Sequence, residues 1–339
     1  MSHFKKNILD SRQQLAPERT LNRKITVFGT DPVGMACAHA IANRGLATEI
    51  CILDKQSSTL TGEILDIKFG AYFMDNIKII GTYDFEKSMG SDIIIIASGV
   101  TRLHGESQAE LLEQNHELIL KIVPKLMIYN NNPILIVFTI PNNILTHLAW
   151  KLSGLSSSRV IGLGNILYTS RLNNMMADRL GVSPSEVSTW VIGDTGSHSI
   201  PVWSCSNVAG VRLRDKYPKI GKEGDGDNWN RLHRNAVELD DTISSSKGAA
   251  CWSKAIVCAT LVHDILNNTR KIRNVSTLAK GHYGIKKNVF LSLPCVVSAE
   301  GVKHVLRLPL DVEEHHKLQK AAKEADVFRP GSGLRQIRY

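Results

Sequence analysis

The sequence predicts a doubly wound parallel α/β sheet followed by a mixed α+β domain. Two observations carry that prediction. Five short runs rich in Ile and Val recur between Lys24 and Thr139, separated by longer helical patterns, and the alternation stops after Gly164. Near-continuous apolar runs suit strands covered on both faces, and strand–helix–strand repetition builds a parallel sheet from them.

The first run, "KITVFG" (24–29), leads into "DP", where Asp31 is a good N-cap and Pro32 a favoured first helical residue. A helix over 32–44 follows. The next runs are "TEICILD" (48–54), "NIKIIGT" (76–82) and "SDIIIIASG" (91–99), then a helix over 107–128 and the run "PILIVFT" (133–139). After "RVIGLG" (159–164) the rhythm changes. A helix from about 169 to 180 leads to "STWVIGDTGSHSIPVWS" (188–204) and the loop "GKEGDGD" (221–227). Helices at about 229–247 and 252–268, a hairpin strand "NVFLSLPCVVS" (288–298) and an amphipathic helix over 312–325 complete the chain. The division is an N-terminal arm (1–21), a first domain (22–161) and a second (162–332).

At 339 residues, 43% hydrophobic and 22% charged, the chain has the composition of a soluble two-domain protein. No apolar run approaches the ~20 residues of a bilayer span. The N-terminus "MSHFKKNILDSRQQLAPERT" lacks the apolar block of a secretory signal. These features predict a cytoplasmic protein without a membrane partner. Six cysteines lie scattered without a C-x-x-C pair, which reads as buried, reduced thiols and no metal site. The net charge of +9 is dispersed apart from "TRKIR" (269–273) and the C-terminal tail. With no zinc-finger or RNP-like motif, it reads as a solvated basic surface and not a nucleic-acid site.

"GTDPVG" (29–34) follows the first run and opens a helix, with Gly29 and Gly34 framing it. Asp54 closes the second run about 20 residues later, where an acidic residue binds ribose hydroxyls. Gly99 ends the fourth run. Together Gly29, Gly34, Asp54 and Gly99 predict a dinucleotide site. Asp31 argues against tight binding: the middle of G-x-G-x-x-G is glycine where backbone approaches pyrophosphate, and a carboxylate there adds bulk and negative charge.

The stretches "KITVFGTDPVGMACAHAI", "GESQAELLEQN", "NILTHLAWKLSG", "SRVIGLG", "IPVWSCSNVAGVRL" and "VSTLAKGHYGIKKNVFLSLPC" resemble vertebrate L-lactate dehydrogenases of the lactate/malate dehydrogenase family. The resemblance, which covers about residues 20–330, is to a divergent, lactate dehydrogenase A-like paralogue. It implies a Rossmann domain for NAD and an α+β catalytic domain. It also implies the reaction lactate + NAD = pyruvate + NADH, and a homotetramer linked by N-terminal arms.

It further implies a set of positions. The proton-transferring histidine of G-E-H-G-D-S falls on Thr195, with Gly193 and Gly196 in register and His198 three residues further on. Three residues of extended chain span up to ~10 Å, and an odd offset turns a side chain to the opposite face. The aspartate that orients the histidine falls on Tyr168. The arginine that polarises the substrate carbonyl falls on Gln108, and the asparagine of S-N-P on Ile140. A substrate-pocket threonine falls on Ala250 and a cofactor-side arginine on Thr101, with Arg102 adjacent. The position that discriminates substrates falls on Leu103. Arg171 matches the arginine that grips the substrate carboxylate.

Threonine has no pKa near 7 with which to shuttle a proton, and Gln108 carries no charge. General acid catalysis is typically worth about 10²–10⁴ in rate and one electrostatic donor about 10²–10³. The expectation is a catalytically impaired protein that binds or assembles, as a homo-oligomer or beside active lactate dehydrogenase subunits. Two alternatives stand beside it: an active NAD-dependent 2-hydroxy acid dehydrogenase using His198 or water, and a chain with no maintained function.

Overall fold

The computed structural model describes residues 9–11, 23–55, 58–74, 77–99 and 108–327. The first half alternates β2 (Lys24–Phe28), α1 (Pro32–Asn43), β3 (Glu49–Leu53), α2 (Ser58–Gly70), β4 (Lys78–Thr82) and β5 (Ile93–Ile96). It continues with α3 (Gln108–Tyr129), β6 (Ile134–Val137), α4 (Asn142–Ser153) and β7 (Val160–Gly162). The six strands are parallel in the order β4-β3-β2-β5-β6-β7.

Their composition follows from double coverage. Ile93 and Ile95 pack with α1 and α2, whereas Ile94 and Ile96 pack with α3 and α4, and all four are fully buried. In β6, Ile134 and Ile136 divide from Leu135 and Val137 in the same way. A pleated strand sends alternate side chains to opposite faces, so both sets must be apolar.

The second half opens with α5 (Ile166–Leu180), followed by β8 (Val187–Ser188), β9 (Val191–Gly193), β10 (Ser199–Pro201), β11 (Asn207–Val208) and β12 (Val211–Arg212). Then come α6 (Trp229–Lys247), α7 (Trp252–Leu266), β13 (Ile272–Leu278), β14 (Phe290–Ser298), β15 (Gly301–Leu306) and α8 (Val312–Val327). β13 joins the outer edge of β7 antiparallel through Ser276 and Gly162. β14, β15 and finally β1 (Leu9–Ser11) extend the sheet, giving twelve strands with the β9–β10 hairpin docked on β14.

Several sequence expectations shift. The "hairpin strand" is the centre of a three-stranded meander, because β13 begins inside the basic stretch "TRKIR" and pairs with it on the other side. α5 starts at Ile166, three residues before the expected start, and α7 ends at Leu266, before the expected Asn268. Arg44 caps α1 instead of extending it. All six cysteines are free, and five are buried, Cys205 being half-buried. Among the described residues no helix is long and apolar enough to cross a membrane, and no group of side chains is arranged to hold a metal.

Candidate active site

The loops after β2, β3, β5 and β6 all leave the carboxyl edge of the parallel strands, where ligands of such sheets bind. At the first loop the architecture is tight. A Cβ on Gly34 would lie 2.2 Å from the Gly29 carbonyl oxygen, and one on Gly29 would lie 2.7 Å from Ser98. Only glycine lets strand and helix approach so closely.

Asp31 caps α1. Its Oδ1 accepts from the amides of Val33 and Gly34, both at 2.9 Å. Burial raises its pKa, and the two amides and Lys254 offset this in part. Those amides are the donors a helix N-terminus offers to phosphate, and here the chain's own carboxylate holds them. The glycine frame therefore fits a dinucleotide, but the phosphate cradle does not receive a pyrophosphate without ejecting Asp31.

Asp54 ends β3. Its Oδ2 accepts from the Thr30 amide at 2.7 Å and the Thr30 hydroxyl at 2.6 Å, and its Oδ1 from the Lys55 amide at 2.7 Å. Gly99, after β5, lies against Thr139 and Asn115, where a Cβ would meet Thr139 Cγ2 at 2.6 Å. Ile140 follows β6, is joined to Pro141 by a cis peptide, and takes the Asn115 side-chain amide on its carbonyl at 2.7 Å. Thr101, Arg102 and Leu103 lie outside the described residues. Gln108 opens α3, and its side chain is likewise outside them.

The β9–β10 hairpin brings up Thr195. Gly193 (φ 86°) and Gly196 (φ 75°) have backbone conformations that other residues adopt only with strain. Between them, the Asp194 carboxylate accepts from the Asn143 side chain at 2.9 Å and the Thr195 amide at 2.8 Å. The Asn165 side chain donates to the Asp194 carbonyl at 2.8 Å. α4 and α5 thus both hold the loop that carries Thr195.

His198 goes elsewhere. Residues 196–198 form a 3-10 turn, so the estimate of three residues of extended chain is corrected: a tight turn, and not distance along a strand, carries the histidine away. His198 is exposed and lines a cavity of about 560 Å³ with Trp203, His233, Arg234 and Lys317. Neither Thr195 nor Arg171 lines that cavity.

Tyr168 and Arg171 share one side of α5. Burial and the neighbouring Asp240 push the Tyr168 phenol up to about 12, while Arg171 and the Gly196 amide pull it back. It is therefore a protonated hydrogen-bonding group at neutral pH, tied to the Thr195 loop. Arg171 donates from Nη2 to Asp240 Oδ1 at 2.6 Å and from Nη1 to the Ala236 carbonyl at 3.3 Å. Its side chain is 10% exposed, so it is not an ordinary surface arginine. The other Asp240 oxygen lies 3.8 Å from Lys254 Nζ. Ala250 is buried in the turn between α6 and α7.

Sequence reasoning missed Asp194, Asp240, Lys254 and the two asparagines. One signal was available for Asp240. The buried face of α6 runs Trp229, Leu232, His233, Ala236, and Asp240 is the next step along it. An acid on an apolar stripe needs a partner.

Comparison with known proteins is consistent with this geometry. Residues 23–162 match the lactate/malate dehydrogenase NAD-binding domain, and residues 166–325 match the α/β C-terminal domain of the same enzymes. The chain is 40% identical over 299 residues to the L-lactate dehydrogenase B-B chain of Danio rerio, covering 88% of this chain and 90% of that protein. It is 38% identical over 301 residues to the human L-lactate dehydrogenase B chain, covering 89% and 90%. With the Gallus gallus B chain it shares 39% over 301 residues, again 89% and 90%. With both domain models matched across most of the chain and relatives at 38–40% identity, the chain belongs to the lactate/malate dehydrogenase family.

Proposed function

We propose that the protein is a divergent, A-like L-lactate dehydrogenase paralogue, severely impaired in catalysis, whose remaining role is binding or subunit assembly. One observation carries the reading. The loop position at which the resemblance expects a proton-transferring histidine bears Thr195, and the nearest histidine, His198, faces a separate cavity. Tyr168 does not replace it, because a phenol held near 12 is a poor partner for proton exchange at pH 7. Gln108, Ile140 and Ala250 stand at three further positions expected to face substrate. Arg171 remains as the residue for a substrate carboxylate.

An assembly role is supported by apolar side chains left open on the single chain. Phe69, Tyr72 and Phe73 at the end of α2 are 78–87% exposed, and Trp252 and Ile256 on α7 are 65% and 63% exposed. Exposed apolar side chains that adjoin one another, as the Tyr72 and Phe73 rings do at 5.0 Å, mark contact surfaces. The partner is a second copy of this chain or an active lactate dehydrogenase subunit, and the compartment is the cytoplasm.

The test is pyruvate reduction with NADH by purified recombinant protein free of host dehydrogenase, beside a Thr195→His variant. The expected wild-type turnover is at least ~10³-fold below that of an ordinary dehydrogenase. Turnover near that of an ordinary dehydrogenase overturns the reading and revives the alternative, an active dehydrogenase with a modified proton donor.

A further inference from the structure

At the α1 N-terminus and at Arg171, donors that could hold an anion each already hold a carboxylate of the chain. Asp31 takes the α1 amides, and Asp240 takes the guanidinium of Arg171. Lys254 faces both, at 3.8 Å from Asp240 and close enough to lower the Asp31 pKa. From this we infer that Asp240 is the specificity-determining residue of the Arg171 site, an internal carboxylate that excludes small monocarboxylates from it. The inference rests on the reading of Arg171 as the carboxylate-binding residue proposed above.

The geometry makes the exclusion strong. Arg171 has little exposed surface, and its two terminal nitrogens are committed to Asp240 and the Ala236 carbonyl. An incoming carboxylate must displace Asp240 or settle beside it as a second negative charge. Displacement also breaks the Asp240–Lys254 pair and leaves the half-buried Asp240 charge without its cations. The competition is unequal, because Asp240 is tethered. Its effective concentration at Arg171 exceeds that of a dissolved ligand at millimolar levels, and it loses no translational freedom on pairing.

Removing the charge while keeping the shape should open the site. The experiment is a ligand-observed NMR titration of full-length protein with pyruvate, with and without NAD, for wild type, Asp240→Asn and the double variant Asp31→Gly/Asp240→Asn. Oxidised NAD prevents turnover during the measurement. Circular dichroism checks the fold, and the isosteric asparagine keeps the test valid if Asp240→Ala misfolds. At least one of the two variants is expected to bind pyruvate ~10-fold or more tighter than wild type, and the gain is expected to vanish when Arg171→Gln is added.

Equal binding by wild type and variants overturns the proposal. So does absence of binding in both variants, or a gain that survives Arg171→Gln. These outcomes are distinct from failure of the functional reading. Rapid pyruvate turnover by wild type sinks the impaired-enzyme reading whatever the titration gives, whereas equal pyruvate binding without turnover sinks only the role of Asp240.

Discussion

Lowering the pH from 7 to 4.5 should destabilise the protein through His233. This side chain projects from α6, is 7% exposed, and pairs its Nε2 with Ser199 Oγ at 3.0 Å. Burial pushes its pKa down to about 4, helped by Lys317 on α8 and Arg234 on α6. Glu313, Glu314 and the exposed His198 line the same cavity. In the unfolded chain the imidazole titrates near 6.5. As pH falls through 6.5 the unfolded state takes up a proton that the folded state refuses until about 4, so stability drops across that window and is unaffected above it.

A separation of about 2.5 units at 1.36 kcal/mol per unit corresponds to about 3 kcal/mol once both states are protonated, and about 2.5 kcal/mol at pH 4.5. The assay is urea unfolding at pH 7 and 4.5 for wild type and His233→Gln, whose amide can still pair with Ser199. The variant should lose less stability than wild type by about that amount. Profiles parallel to within about 0.5 kcal/mol would refute the reasoning, because they would mean that His233 titrates alike folded and unfolded.

Gly34→Ala should cost about 2 kcal/mol or more, seen as a lower thermal midpoint, because its Cβ would meet the Gly29 carbonyl and α1 would have to shift. An unchanged midpoint would mean that the loop is looser than described. Asp264 is fully buried; burial raises its pKa, but Arg273 (Nε–Oδ2 2.6 Å) and Thr269 (2.7 Å) outweigh this and hold it below the usual carboxylate range. That pair contributes stability above the unfolded aspartate pKa and loses it as pH falls through the lower folded value. Arg273→Ala should therefore cost about 2 kcal/mol at pH 7 and much less near pH 2, measured by denaturant unfolding. Asp31→Ala should cost about 1 kcal/mol by removing the cap, and Asp31→Asn almost nothing, in the same assay.

The parallel half was readable because every buried strand there is an apolar run with no other plausible use. Ile93–Ile96 must be covered on both faces, and helical patterns on either side supply the cover. β13 escaped notice because "TRKIRNVSTL" begins with exposed basic residues and then buries the polar Asn274, Ser276 and Thr277, of which Asn274 donates to Thr169 Oγ1 at 2.8 Å. At the site, the glycines and the capping role of Asp31 follow from local rules of loop and helix start. Asp240 reaches Arg171 from α6, 69 residues on, and Lys254 reaches Asp240 from α7, a meeting that depends on packing between distant segments. Local pattern has no access to that.

The order of strands in the long sheet also has a consequence for how the chain is made. β7 is complete when synthesis reaches Gly162, yet its neighbour β13 begins only at Ile272. At ribosomal rates of about 5–20 residues per second, the outer edge of the finished parallel unit waits on the order of 10 s for its partner. An open edge is a place for another chain to add itself. β7 offers only three residues there, and a side chain at its Gly162 would collide with Thr146 and Asn142 on the chain's own α4. The strand of the parallel unit that must wait for β13 is thus its shortest, which limits what a neighbouring nascent chain can grasp.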